Sequence, residues 1–154
     1  MSKQSSLTVR QLNAADIFPF RQLLAVMGQA FNDPAAYTQS QPEDAWLRRL
    51  LGSEHFIALA ALDNDAIVGG LAAYELVKFE QARSEIYIYD LAVAETHRRR
   101  GIATALIGAL KKIGKARGAY VIFVQADPPD APAVALYTRL GVREDVMHFV
   151  IAVE

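Results

Sequence analysis

The spacing of apolar residues changes several times along the chain, and each change marks an element. Leu7 to Leu12 alternates as a first strand. Ile17 to Phe31 follows with helical spacing; Asn13 or Asp16 is placed to cap it, and Pro19 falls in the first turn, where its missing N–H costs little. Asn32-Asp33-Pro34 breaks that helix. A second is predicted after Pro42, with Glu43 and Asp44 in its first turn and Trp46, Leu47, Leu50 and Leu51 leading to Gly52. Phe56 to Leu62 reads as a buried strand, Asp63-Asn64-Asp65 as a turn, and Ala66 to Val77 as the antiparallel partner. Lys78 to Arg83 is a loop before a central strand, Ser84 to Val93. Ile102, Leu106, Leu110 and Ile113 then recur at helical spacing as far as Gly118. Ala119 to Asp127 is a near-continuous apolar strand, Asp127-Pro128-Pro129-Asp130 a break, and the next helix carries Tyr137. Met147 to Val153 is predicted as a last strand.

This order predicts an α/β (α+β) architecture: a mixed, mostly antiparallel sheet with helices on both faces and one parallel strand-helix-strand crossover. A length of 154 residues suits a single domain, residues 1–154, and no repeat or linker interrupts it. With 53% hydrophobic and 21% charged residues the composition is that of a soluble globular protein, and a net charge of -1 argues against broad basic fields for nucleic acid. No apolar run approaches membrane-spanning length and the start, Met1 to Ser6, lacks a secretory pattern, so the expected location is cytoplasmic. The absence of cysteine excludes a disulfide, a thiolate metal site and a cysteine nucleophile. His55, His97 and His148 lie far apart without metal-ligand spacing, and read as structural or surface residues with no metal.

The chemistry concentrates where the central strand ends. Arg98, Arg99 and Arg100 precede Gly101, Ile102, Ala103 and Thr104, so that a basic turn opens directly into a helix. The first N–H groups of a helix lack intrahelical partners and carry the positive end of its dipole, which favours an anion; glycine lets a phosphate approach the backbone. Arginine adds planar, permanently charged donors. The plain alternative is a solvated basic cluster before an ordinary helix. Asp90 is the odd residue of Ile86 to Val93, a carboxylate in an apolar strand, which is costly to bury unless paired or used. It reads as an amine anchor or base, or else as the structural partner of an arginine. Asp127, at the end of the neighbouring strand, reads as a second anchor or as a helix cap. Glu80 and Glu85 extend an acidic rim unless Lys78 and Arg83 neutralise them. Tyr137 shares a helix face with Ala133, Leu136 and Leu140, and is either a core residue or a proton donor turned toward the sheet.

Arg98-x-x-Gly101-x-Ala103 resembles the Gln/Arg-x-x-Gly-x-Gly/Ala motif of the GNAT acetyltransferases, and Ala133 to Gly141 resembles that superfamily's Ala-x-x-Leu-Tyr-x-x-x-Gly helix. The resemblance implies the GNAT fold, with its parallel strand pair splayed apart, and acetyl-CoA as cosubstrate. It implies that Arg98 to Thr104 hold the pyrophosphate and that the backbone of Leu91, Ala92 and Val93 meets the pantetheine arm. Tyr137 becomes the acid beside the CoA sulfur, and transfer proceeds by direct attack without a covalent enzyme intermediate. Asp130 and Ala133 fall at the family's further cofactor contacts, although many relatives carry Asn where Asp130 stands. Longer strings, among them Phe56 to Ala61, Lys78 to Asp90, Val124 to Asp127 and Val146 to Phe149, resemble the type I aminoglycoside 3-N-acetyltransferases. That implies transfer to the 3-amino group of the deoxystreptamine ring in gentamicin-type antibiotics, hence resistance, and a homodimer. A polycationic acceptor asks for carboxylates, which Asp90, Asp127, Glu85 and Glu80 could supply. Two rival readings are a GNAT enzyme for another cationic amine, a polyamine or peptide, and a non-catalytic acyl-CoA-binding module.

Overall fold

The computed structural model describes residues 6–154. They form two compact units, one reaching to Val124 and the other Gln125–Glu154. Within the first, five strands lie in sequence order: β1 (Leu7–Gln11), β2 (Phe56–Asp63), β3 (Ala66–Val77), β4 (Ser84–Val93) and β5 (Ala119–Val124). The first three pairings are antiparallel, and β4 pairs with β5 in parallel. This is the mixed sheet read from the sequence. The β2–β3 turn is tight because Asn64 and Asp65 both take positive φ, at 50° and 69°, the conformation that a two-residue hairpin requires.

Two adjacent glycines of β3 show how the helices α1 (Ile17–Ala30) and α4 (Ile102–Arg117) cover the sheet. A Cβ on Gly69 would meet Ile102 of α4, whereas one on Gly70 would come within 2.5 Å of Leu23 of α1. Neighbouring strand residues point to opposite faces, so α1 and α4 lie on opposite sides. On the α1 side Leu23, Met27, Phe20 and Phe56 are buried together with Leu47 and Leu51 of α3 (Asp44–Leu51). On the α4 side Leu106 and Leu110 are fully buried, as are Ile86 and Ile88 of β4.

The break at Asn32-Asp33-Pro34 is also a beginning. Asp33 accepts a hydrogen bond from the Ala36 N–H, and Pro34 opens a single helical turn, α2 (Pro34–Tyr37), not anticipated from the sequence. At its end Tyr37 packs against Gly28 of α1.

Three expectations are corrected. Strand β5 stops at Val124, so Gln125 to Asp127 lie beyond it, and Tyr120, Val121 and Phe123 are substantially exposed. Asp127 therefore ends no strand; its carbonyl accepts the Asp130 N–H in the turn that precedes α5 (Ala131–Leu140). Met147 to Val153 is not assigned as a strand either: within its own unit the segment belongs to no ladder. Apolar alternation marks a segment able to pair, but a strand exists only once a neighbour supplies the ladder. Among the described residues no helix is long and apolar enough to cross a membrane.

Candidate active site

The site begins with a fault in the β3–β4 ladder. Ala73 pairs with Ile88 and Ala72 with Asp90, so two residues of β3 face three of β4 and Tyr89 is the extra one. Such a bulge reverses the side-chain alternation beyond it. Before it, Ile86 and Ile88 point at α4. Unbroken alternation would send Asp90 after them. The bulge instead places Asp90 on the α1 side, with Tyr74 and Tyr87. There the Tyr37 hydroxyl donates to Asp90 Oδ2 at 2.7 Å. Burial pushes the Asp90 carboxyl above the ordinary carboxylate range, and the Tyr37 bond offsets part of that shift. Tyr37 itself is held far above the usual phenol range by burial and by the Asp90 charge, so it remains a donor. Asp90 thus has a tyrosine for a partner rather than an arginine.

Around this pair the aromatic rings are ordered. Tyr89 meets Tyr74 edge-on at 6.1 Å and Tyr87 at 5.8 Å, and Tyr87 stacks on Phe123 of β5 at 4.7 Å. Four tyrosines therefore gather near one carboxylate. The sequence does not mark them as site residues, because Tyr87 and Tyr89 look like ordinary strand positions and Tyr37 lies 53 residues from Asp90. The visible signal was the string Tyr87-Ile88-Tyr89-Asp90 itself.

The parallel pair also diverges at the bulge. Register with β5 runs only from Ser84 to Ile88, which leaves Leu91, Ala92 and Val93 bonded to β3 and without a strand on their other side among the described residues. Ladder groups left unpaired in this way can accept an extended ligand arm with amides of its own. One turn of 3₁₀ helix, Glu95–His97, follows, and then the basic turn. Arg99 and Gly101 both have positive φ, 62° and 76°; no side chain caps α4, and nothing lies within 4 Å of where a Gly101 Cβ would stand. The space over the helix start is open, as close approach of a phosphate requires. Asp63, at the end of β2, braces the turn: its Oδ2 is 3.0 Å from His97 Nε2 and 3.9 Å from the Arg100 guanidinium. Arg98 Nε donates to the Val93 carbonyl at 3.4 Å. Ile102 is buried against the sheet, Ala103 partly so, and Thr104 is exposed.

The acidic rim is largely used up internally. Lys78 Nζ lies 3.0 Å from Glu80 and 3.4 Å from Glu85, and the Tyr120 hydroxyl donates to Glu85 at 2.6 Å. In the C-terminal unit, Asp130 accepts the Ala133 N–H and so caps α5, while Asp127 is exposed. Tyr137 sits partly buried on α5.

Comparison with known proteins meets this geometry at the same places. A profile of the acetyltransferase (GNAT) family matches residues 21–142, a span that includes Asp90, the basic turn and Tyr137. The chain belongs to the acetyltransferase (GNAT) family. The crystal structure of an aminoglycoside acetyltransferase from an uncultured soil metagenomic sample is 64% identical to this GNAT chain, covering 97% of it and 99% of that protein at a TM-score of 0.95. A second metagenomic aminoglycoside acetyltransferase, crystallised with sisomicin, is 32% identical over 96% of this chain and 97% of its own, at a TM-score of 0.88. Among curated proteins, N-alpha-acetyltransferase 30 of Schizosaccharomyces pombe is 33% identical over 84 residues, 54% of this chain and 55% of that protein. The chain spans about half or less of the length of the curated relatives it matches. The GNAT family uses acetyl-CoA, and the open, uncapped start of α4 with its arginines suits that cosubstrate.

Proposed function

We propose that this GNAT protein transfers the acetyl group of acetyl-CoA to an aminoglycoside, at the 3-amino group of the deoxystreptamine ring, and thereby confers resistance to gentamicin-type antibiotics. The observation that carries this reading is Asp90, turned from the α4 face to the α1 face by the Tyr89 bulge, partly buried and held by Tyr37. A module that only bound an acyl-CoA would need the basic turn but no such carboxylate. The aminoglycoside acetyltransferase at 64% identity over nearly the whole chain supports the acceptor class.

An aminoglycoside amine is mostly protonated near neutral pH and cannot attack in that form. Asp90 orients the ammonium and accepts its proton, directly or through water; its raised carboxyl range brings it closer to the operating pH, as a base requires. Acetyl-CoA, when bound, supplies the thioester. Arg98, Arg99 and Arg100 with the Gly101 to Thr104 backbone hold its pyrophosphate, and the free edge at Leu91 to Val93 receives the pantetheine arm. Tyr137 supplies the proton that the departing sulfur needs, with Asp130 and Ala133 at the start of its helix as further cofactor contacts. Asp127 adds negative charge for the polycation. Glu80 and Glu85 act more weakly, since Lys78 already shares them. The protein works as a cytoplasmic homodimer; the exposed Met147, Phe149, Val150 and Ile151 support assembly with a second copy.

The test is an acetylation assay with gentamicin, kanamycin, spermidine and a peptide panel, with the product's acetyl position assigned by NMR. Acetylation at the 3-amino group is expected. A preference for the peptides, the second reading favoured by the likeness to the fission-yeast N-alpha-acetyltransferase, overturns the acceptor assignment.

A further inference from the structure

The face that carries Asp90 continues into an open cavity of about 720 Å³, walled by Tyr74, Tyr87 and Tyr89 with His55 and Leu76. Pockets that hold drug-sized ligands span about 300–1,000 Å³, so the space exceeds what one reacting amine requires. The wall is fixed at its ends and bare in the middle. Phe56 packs on Tyr74 at 5.2 Å and Phe123 stacks on Tyr87, while Tyr89 between them is 63% exposed. Tyrosines in a core would hide these surfaces.

The chemistry of the wall selects a cation. Aromatic faces carry the negative part of the ring quadrupole and attract ammonium groups, and phenol oxygens accept hydrogen bonds from ammonium and hydroxyl donors. Burial, together with the nearby Asp90 carboxylate, holds the Tyr74 and Tyr87 phenols above their usual range, so they stay protonated. The one carboxylate on the cavity wall is already engaged: Glu75 accepts from Ser84 Oγ at 2.6 Å and pairs with Arg117 at 2.9 Å. Attraction for a cation therefore falls to the rings and to Asp90.

We propose that Tyr74, Tyr87 and Tyr89 form a subsite for a second, non-reacting ammonium-bearing sugar ring of the acceptor, beside the amine held at Asp90. This rests on the reading of Asp90 as the acceptor anchor. The subsite makes the enzyme prefer multi-ring polyamino sugars to a lone aminocyclitol, through ring faces rather than through added carboxylates.

Calorimetry on the CoA-saturated protein tests this without any acetyl transfer, with kanamycin and free 2-deoxystreptamine as probes. The wild type binds kanamycin more tightly. Tyr89→Leu, at an exposed position, cuts that preference by roughly tenfold, whereas Tyr89→Phe keeps it within about twofold because the ring face remains. A preference unchanged in both Tyr89→Leu and Tyr74→Leu overturns the subsite, as does a Tyr89→Phe loss equal to that of Tyr89→Leu. The two readings fail separately. A protein that binds kanamycin through these tyrosines but does not acetylate it retains the subsite and loses the reaction. One that acetylates kanamycin with an unchanged KM in both leucine variants retains the reaction and loses the subsite.

Discussion

Tyr37 on the single-turn helix α2 and Asp90 beyond the β4 bulge are joined by a 2.7 Å hydrogen bond across 53 residues of chain. The bond lowers the Asp90 carboxyl range against the opposing effect of burial. Tyr37→Phe removes it, so Asp90 takes up a proton more readily and the acid limb of kcat/KM moves to higher pH. At pH 7 kcat/KM falls by about tenfold, the loss expected for a hydrogen bond to a charged group. A pH–rate profile checks the direction: a limb that stays in place while activity falls would leave Tyr37 a packing residue.

Asp90→Asn keeps the shape and removes the base. The chemical rate falls by roughly a hundredfold or more, with acetyl-CoA affinity nearly intact. Stability moves the other way. A carboxyl whose folded range is raised contributes stability that is present below its unfolded pKa and lost as pH rises through the folded value. The asparagine variant therefore melts at or above the wild-type temperature at pH 8, and the difference closes toward pH 3. Calorimetric scans at the two pH values measure it.

Gly101→Glu puts bulk and negative charge at the start of α4, where φ is 76° and the space is open. The fold persists, with a backbone cost on the order of 1–2 kcal/mol, and the acetyl-CoA Kd rises by roughly tenfold or more. Gly101→Ala carries the strain without the charge and loses less. Titration of both variants with acetyl-CoA separates the two contributions; equal losses would assign the effect to strain alone.

Tyr137→Phe removes only a proton donor. We expect a kcat lowered by about tenfold to a hundredfold, with KM for both substrates unchanged. Single-turnover rates equal to the wild type would show that the thiolate departs without it.

What the sequence disclosed and what it withheld divide along physical lines. The strands β2 to β4 and the helices α1, α3 and α4 follow from local periodicity and punctuation, and the Arg98 to Thr104 turn is a contiguous motif whose function is local. The Tyr37–Asp90 pair is neither. It depends on one extra residue in a ladder and on the end of a four-residue helix, and no periodicity carries that information. The acidic rim was legible as an alternative: the sequence offers Lys78 and Arg83 as neutralising partners of Glu80 and Glu85, and Lys78 does lie between the two carboxylates. Overreading occurred where a pattern needed a neighbour. Ala119 to Asp127 and Met147 to Val153 have the apolar content of strands, but β5 stops at Val124 and the final segment belongs to no ladder within its own unit.

The bulge at Tyr89 also bears on how the chain finds its register. A β3–β4 hairpin formed without it would pair just as many backbone groups, but would carry Asp90 in among Ile86 and Ile88 beneath α4 and leave a carboxylate without a hydrogen-bonding partner there. The mispaired hairpin is thus charged a desolvation cost that the native one avoids. The residue proposed to take the acceptor's proton in the finished enzyme acts earlier as a proofreading mark on strand alignment. Asp90→Leu should accordingly populate a slipped hairpin, visible as slow or heterogeneous refolding, before any question of catalysis arises.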